Sequence, residues 1–241
     1  MIIIAVINTF KRTEKKYILT SGIYERFRSA ISPQMQEDQY GWDTICSVYY
    51  DTPHFDLIRR SIDKPVYKEK LRIRSYGVPA PDTNVYIELK KKYDGIVYKR
   101  RVSLPYRIAM DFLDNRTLPE ARGLKDRQII NELSYCMEHY SLRPAMFIAY
   151  DRVALFCPEK PTLRITFDRN IRFRTTDLEL IRGSDGQVIL PEDMYLMEIK
   201  ENGAMPLWLT HTLTELSVKP GSFSKYGTAY KLISGAATNQ L

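Results

Sequence analysis

The chain has 241 residues, 44% of them hydrophobic, so it can bury a core; 27% charged residues is close to the globular average and excludes a disordered polyelectrolyte. The net charge of +7 predicts an anionic partner: a phosphate ester, a nucleic acid or a membrane surface. No run of five or six basic residues occurs, which excludes a basic tail, so the excess must sit inside folded segments.

Residues 1–7 are apolar, but positive charge follows them rather than preceding them, the wrong order for a secretory signal. No 18-residue apolar stretch occurs, so no membrane segment is expected. Residues 22–31 predict a helix closed by Ser32 and Pro33, and residues 45–50 a strand. The stripe Tyr49, Tyr50 and Phe55 reads as core packing, and Asp51 as an organiser of the turn before Pro53. Residues 70–76, 84–92 and 96–104 predict a meander, with a loop at 77–83 and a tight hairpin at Asp94-Gly95. A helix over 125–140 places Ile129, Leu133, Cys136, Met137 and Tyr140 on one face. Strands follow at 145–156, 162–168, 171–174, 187–190 and 195–200, with a hairpin at 184–186 and a last helix at 207–216. Cys46, Cys136 and Cys157 lack C-x-x-C spacing, which predicts a reducing, cytoplasmic setting without a zinc site. His54, His139 and His211 are isolated and lack ligand spacing. The expected fold class is α+β, a large antiparallel sheet with flanking helices.

Alternate residues of a strand share a face. Arg72 and Arg74 therefore point one way, as do Glu88, Lys90 and Lys92, then Lys99 and Arg101, then Glu198 and Lys200. Tyr150 with Arg152, and Arg164, extend the pattern. Each pair alone could be the solvated face of an ordinary strand. Their recurrence is harder to explain that way, because like charges side by side destabilise a sheet unless a polyanion compensates them. Were the sheet to close, those faces would line a lumen. A carboxylate such as Glu198 or Glu88 among the cations would then suit a divalent metal held against phosphates.

With these residues in hand, the chain resembles the polymerase domain of the vacuolar transporter chaperone (VTC) family, within the triphosphate tunnel metalloenzymes or CYTH superfamily. The resemblance covers about residues 10–232. It rests on Phe10-Lys11-Arg12-Thr13-Glu14-Lys15-Lys16-Tyr17, Ser47-Val48-Tyr49-Tyr50-Asp51-Thr52, Lys70-Leu71-Arg72-Ile73-Arg74-Ser75-Tyr76-Gly77 and Ile87-Glu88-Leu89-Lys90. It continues through Lys99-Arg100-Arg101-Val102-Ser103-Leu104-Pro105, Tyr150-Asp151-Arg152, Leu163-Arg164-Ile165-Thr166-Phe167-Asp168, Met197-Glu198-Ile199-Lys200 and Phe223-Ser224-Lys225-Tyr226-Gly227. It implies a single domain over 1–241, an eight-stranded antiparallel β-barrel forming a triphosphate tunnel, and transfer of the γ-phosphate of ATP to inorganic polyphosphate with release of ADP.

By the same resemblance Arg72, Arg74, Lys90, Lys99, Arg101, Arg152 and Arg164 would clamp phosphates, and Glu198 would hold Mn²⁺ or Mg²⁺. Of these, Arg72, Arg74, Lys90, Arg152, Arg164 and Glu198 form the expected catalytic set. Lys16, Lys200 and Lys225 would add positive charge to the substrate site, and Tyr150 would donate a hydrogen bond. Glu14 reads as either a second metal carboxylate or an ion-pair partner, and Ser224-Lys225 as a helix start, a site lysine, or both. Hydrolase and cyclase members begin with Glu-x-Glu-x-Lys; here Arg12 stands at the first Glu position, which favours a polymerase over a triphosphatase. The regulatory domain and membrane segment of eukaryotic polymerases have no counterpart in these residues, so their mode of regulation is not expected. The expected partners are ATP and polyphosphate rather than nucleic acid or membrane. A tunnel triphosphatase and a non-catalytic polyphosphate-binding protein are the alternatives.

Overall fold

Residues that alternate apolar and charged side chains bury one face as a strand, and here they pair into antiparallel sheet. The structure, a computed structural model, describes residues 12–94 and 96–235. Phe10, Lys11, Gly95 and the side chain of Arg12, on which some expectations rest, lie outside the described residues. The strands are β1 (Arg12–Thr20), β2 (Gln36–Glu37), β3 (Asp43–Asp51), β4 (Tyr67–Tyr76), β5 (Asn84–Tyr93), β6 (Ile96–Pro105), β7 (Arg143–Phe156), β8 (Arg164–Arg174), β9 (Gln187–Val188) and β10 (Met194–Asn202). The helices are α1 (Ser21–Ile31), α2 (Asp56–Ile62), α3 (Tyr106–Asn115), α4 (Leu124–His139), α5 (Leu207–Glu215) and α6 (Lys225–Ile233).

The chain divides into two compact units, the first comprising Met1–Trp42, Val153–Asp168 and Glu192–Ser222, the second the remainder. In the first, β1 pairs with β10, β10 with β8, and β2 with the end of β7. One sheet face carries Tyr17, Leu19, Ile165, Phe167, Met197 and Ile199, which pack with Phe27 and Ile31 of α1 and Leu209 of α5. Helix α1 starts where the Thr20 hydroxyl accepts the Ile23 amide, a cap that leaves Tyr24, Phe27 and Ile31 in one buried stripe. Tyr24 stacks on Tyr195 at 4.0 Å and meets Phe167 edge-on at 5.0 Å.

In the second unit the sheet order is β7-β3-β4-β5-β6, with β9 on β8. Its core is the face carrying Leu71, Ile73, Val85, Ile87, Leu89 and Val102, covered by Phe112 of α3 and by Leu133 and Met137 of α4. Tyr93 pairs with Ile96 across the tight turn at Asp94, whose φ of 42° is the left-handed conformation such turns need.

The α+β antiparallel expectation agrees with this architecture, and eight strands make the main hydrogen-bonded path. That path has two ends, β1 and β6, so among the described residues hydrogen bonds do not close the expected barrel. The strands expected at 162–168 and 171–174 are one strand, β8, which begins at Arg164 and is interrupted in the sequence pattern by Asn170 at φ 50°. Helices α2 and α3 are additional to those expected, being short and lacking a long apolar period, whereas α6 begins at the possible helix start Ser224-Lys225. Among the described residues no helix is long and apolar enough to cross a membrane.

Candidate functional site

The strand register converts the sequence alternation into rows of side chains. Across β4, β5 and β6 of the second unit, the face opposite the core presents Arg74, Tyr86 and Ser103, then Arg72, Glu88 and Arg101, then Lys70, Lys90 and Lys99, then Lys68, Lys92 and Val97. On β3 the same face carries Ser47 beside Arg74 and Tyr49 beside Arg72, and on β7 it carries Tyr150 and Arg152. Arg72, Arg74, Lys90, Lys99, Arg101, Tyr150 and Arg152 therefore share one face.

Glu88 organises the middle of this face. Its side chain is 2% exposed, and its two oxygens are taken by three cations from the two neighbouring strands, β4 and β6. Arg72 donates through Nε to Oε2 at 2.7 Å, Lys99 Nζ lies 2.6 Å from Oε1, and Arg101 donates through Nε to Oε1 at 2.6 Å. Burial alone would raise the Glu88 pKa, but Arg72, Arg74 and Lys99 outweigh it and hold the carboxyl well below the usual range. With two guanidinium forks and a lysine on its oxygens, Glu88 acts as the fixed counter-ion that orients those forks.

The forks reach further polar partners. Arg72 donates through Nη1 to the Tyr49 hydroxyl at 3.0 Å. Arg74, 7% exposed, donates through Nη2 to the Tyr150 hydroxyl at 3.0 Å and through Nε to Ser47 at 3.3 Å. Lys225 Nζ sits 4.3 Å from the centre of the Tyr150 ring, and the Arg152 guanidinium 5.1 Å from it. The Ser224 hydroxyl accepts the Gly227 amide at 3.1 Å, so Ser224 caps α6, the helix start expected of that pair.

The electrostatics carry an imbalance. Burial and the neighbouring Arg72 push the Arg74 pKa down, and burial followed by Arg101 and Arg72 pushes Lys99 down despite Glu88. Arg72 is shifted the other way, Tyr49 and Glu88 outweighing its burial, so it is at Arg74 and Lys99 that an added anion would relieve the cost. The same cations act on Tyr49: burial raises its pKa, but Arg72, Arg74 and Lys70 pull it down to about 8.

Tyr49 is the site residue that the sequence pattern assigns to the core instead. Tyr50 is a core residue, but Tyr49 has the opposite parity and follows Ser47 onto the polar face, where it stacks on Tyr226 at 4.5 Å. Its parity with Ser47 was the available signal. The Tyr226 hydroxyl donates to Asp51 Oδ2 at 2.8 Å, and Asp51 also accepts the amides of Thr52, Leu57 and Ile58. Asp51 thereby fixes the start of α2 and anchors α6, the turn-organising role its sequence position suggests.

The remaining predicted residues form a second cluster in the first unit. Here the face opposite the core pairs Glu14 with Lys200 and Arg164, and Lys16 with Glu198 and Thr166. Glu198 is 6% exposed; Lys200 Nζ lies 2.8 Å from its Oε2 and Lys16 Nζ 3.3 Å from its Oε1. Lys16 also lies 3.6 Å from Glu14, and Arg164 lies 3.9 Å from Asp38. Thr166 Oγ1, directly across from Glu198, is buried with no hydrogen-bond partner. No group of three or more His, Cys, Asp or Glu arranged for a metal occurs among the described residues.

The chain matches the VTC domain family model over residues 11–234. No curated protein matches it. Among solved structures, a candidate adenylyl cyclase from Hippeastrum with a dominant triphosphatase activity superposes with a TM-score of 0.54 and 16% identity, covering 92% of this chain and 95% of that one. A candidate adenylate cyclase from Bacillus halodurans superposes with a TM-score of 0.52 and 14% identity, covering 88% and 92%. At these identities the likeness is one of fold, and the family model spans nearly the whole chain: the protein belongs to the VTC domain family.

Proposed function

We propose that the protein is a metal-dependent polyphosphate polymerase that transfers the γ-phosphate of ATP to a growing polyphosphate chain. The observation that carries this reading is the ladder of like-charged residues on β4–β6, on a chain of the VTC family. An isolated sheet would be destabilised by such neighbours, and a linear polyanion compensates them row by row. Arg72, Arg74, Lys90, Lys99, Arg101, Arg152 and Lys225 hold phosphate oxygens, the arginines through two donors each and the lysines as mobile point charges. Tyr150 adds a phenol beside Arg74. Arg164, Lys16 and Lys200 supply cations in the first unit.

Phosphoryl transfer needs alignment and charge neutralisation more than a protein nucleophile. A terminal oxygen of the polymer forms a new bond to the γ-phosphorus, the bond from that phosphorus to the β–γ bridging oxygen breaks, and ADP leaves with the bridging oxygen and its electron pair. The cations screen the repulsion between the two anions and hold their oxygens in line.

The first-unit cluster fits a hard divalent ion such as Mn²⁺ or Mg²⁺. Its donors are the Glu198 carboxylate and the partnerless hydroxyl of Thr166, with Glu14 beside them, and such ions take few protein carboxylates and leave the rest of their shell to water and phosphate. When bound, the ion would neutralise phosphate oxygens. Lys16 and Lys200 hold the carboxylate in place through ion pairs.

A tunnel triphosphatase is the second reading, favoured by the triphosphatase activity of the Hippeastrum neighbour. Incubation with ATP and Mn²⁺, with and without a short polyphosphate primer, separates the two. ADP with lengthening polymer, lost in Glu198→Gln, is expected; orthophosphate without polymer would replace the proposal with the hydrolase.

A further inference from the structure

On β4 the core face does not stay apolar to its end. Leu71 and Ile73 are buried there, but the next two residues of that face are Glu69 and Tyr67, and Glu69 is only 5% exposed. A buried carboxylate is costly unless partners compensate it. The Tyr67 hydroxyl donates to Glu69 Oε1, and Tyr140, which ends α4, bonds the same side chain. Lys91, the residue across from Glu69 on β5, places its Nζ 3.5 Å from Oε1. A structural carboxylate in this chain is held differently. Asp51 accepts three backbone amides and so fixes a helix start, whereas among the described residues Glu69 accepts none.

Glu69 forms the floor of a cavity of about 210 Å³, room for roughly seven waters. Tyr67, Lys91, Tyr135, His139 and Tyr140 line its walls. Tyr135 and His139, one turn apart on α4, stack at 5.4 Å, and His139 meets Tyr140 edge-on at 4.6 Å. The cavity belongs wholly to the second unit, on the sheet face opposite the cationic ladder.

The donor set decides between ligand classes. A hard metal ion is poorly served, because Glu69 is the one carboxylate that lines the cavity. An anion would approach that carboxylate, whose phenol donors and Lys91 are already committed to it. Burial and then the bond to Glu69 push the Tyr140 phenol up to about 12 and raise Tyr67 as well, so both stay protonated donors to the carboxylate. An organic cation meets what remains. A carboxylate offers about four lone-pair positions, and aromatic rings attract both a positive charge and the alkyl chain that carries it. Lys91 fills that role loosely: its 3.5 Å separation exceeds the roughly 2.7–2.9 Å of a charge-assisted hydrogen bond.

We propose that this cavity binds a small primary alkylammonium, whose nitrogen pairs with Glu69 in place of Lys91 while its alkyl part lies among the rings. The site uses none of the phosphate chemistry, so it stands or falls apart from the polymerase reading.

The probe is n-butylammonium, its binding to the full chain followed by saturation-transfer NMR, with n-butanol as the uncharged equivalent. Butylammonium should bind saturably and about tenfold more tightly than butanol. Glu69→Gln should weaken it about tenfold. Lys91→Met should strengthen it about threefold, because the incoming ammonium no longer displaces an ion pair. A carboxylate present only to anchor Lys91 gives no such gain. If Glu69→Gln melts below the assay temperature, Tyr135→Ser replaces it: this wall residue is 66% exposed, and its loss should weaken binding about threefold. Equal binding of butanol overturns the proposal, since it marks a merely apolar pocket. So does unchanged or weaker binding in Lys91→Met, or no saturable binding to either the wild type or Lys91→Met. Inorganic phosphate that displaces butylammonium from the wild type but not from Lys91→Met would assign the cavity to anions instead.

Discussion

Replacing Glu88 by glutamine keeps the shape of the side chain and removes the charge on which Arg72, Lys99 and Arg101 converge. Breaking a buried ion pair from one side costs about 3–5 kcal/mol. Arg101 and Lys99 are 35% and 47% exposed, so water recovers part of that, and a loss of about 2–3 kcal/mol is expected. For a chain of this size that corresponds to a fall in Tm of about 4–12 °C by calorimetry or circular dichroism. The linkage has a definite sign. The folded carboxyl lies well below its ordinary value of 4.5, so its contribution is present above about pH 4.5 and disappears as pH falls toward the folded value. Wild type should lose stability through that acid window, and Glu88→Gln should show that much less of a loss. Tripolyphosphate should then narrow the gap in Tm, because it supplies the negative charge the variant lacks. A variant that melts with the wild type, or a gap that tripolyphosphate leaves unchanged, would show that Glu88 is not the counter-ion of an anion site.

Other outcomes test neighbouring parts of the argument. Tyr49 should titrate near pH 8, and its phenolate would repel phosphate, so tripolyphosphate affinity should fall as pH rises through 8 and this step should vanish in Tyr49→Phe; a wild type with no such step refutes the assignment. Asp51→Asn puts an amide where Oδ2 accepts the Ile58 amide and the Tyr226 hydroxyl, and should cost about 2 kcal/mol, or about 4–8 °C in Tm. Undiminished stability there would show that the α2 and α6 contacts are not held by this carboxylate. Glu198→Gln should retain tripolyphosphate binding in the second unit while abolishing the Mn²⁺-dependent reaction, read as ADP release at a temperature where the variant is still folded; full activity would remove Glu198 from the metal site.

Much of this arrangement was legible because strand alternation is a local property. The shared faces of Arg72 with Arg74, of Glu88 with Lys90 and of Lys99 with Arg101 follow from two-residue periodicity, and their alignment across β4–β6 from the Asp94 hairpin and the pleat. Three features were not legible. Which cations Glu88 joins depends on register between strands, which no single segment specifies. Tyr49 looked apolar in a stretch of buried neighbours; its parity with Ser47 was a faint signal, and its pairing with Arg72 shows the polar side it occupies. Closure of the sheet is a long-range property, and the hydrogen-bonded path instead ends at β1 and β6. Short helices such as α2 were hidden for another reason: Asp51 and Thr52 hold its first turn through side-chain bonds, with little help from apolar period.

The two polar clusters differ in their ratio of acid to base, and that difference points to different chemistry. In the first unit Glu14 and Glu198 stand among Lys16, Lys200 and Arg164, and Glu198 has a partnerless hydroxyl across from it. Near charge balance with an oxygen to spare suits a cation, because an incoming divalent ion meets carboxylate and hydroxyl donors while the lysines can turn toward phosphate. On β4–β6 of the second unit Glu88 is the carboxylate set among eight cations, and Arg74, Lys99 and Lys68 all have their charged forms disfavoured. A divalent cation would worsen that imbalance, whereas each phosphate added relieves it. Metal should therefore bind the first cluster and polyanion the second. Removing Mn²⁺ should then leave tripolyphosphate affinity for the second cluster largely intact, whereas reversing Arg72 and Arg74 to glutamate should abolish it even with Mn²⁺ present.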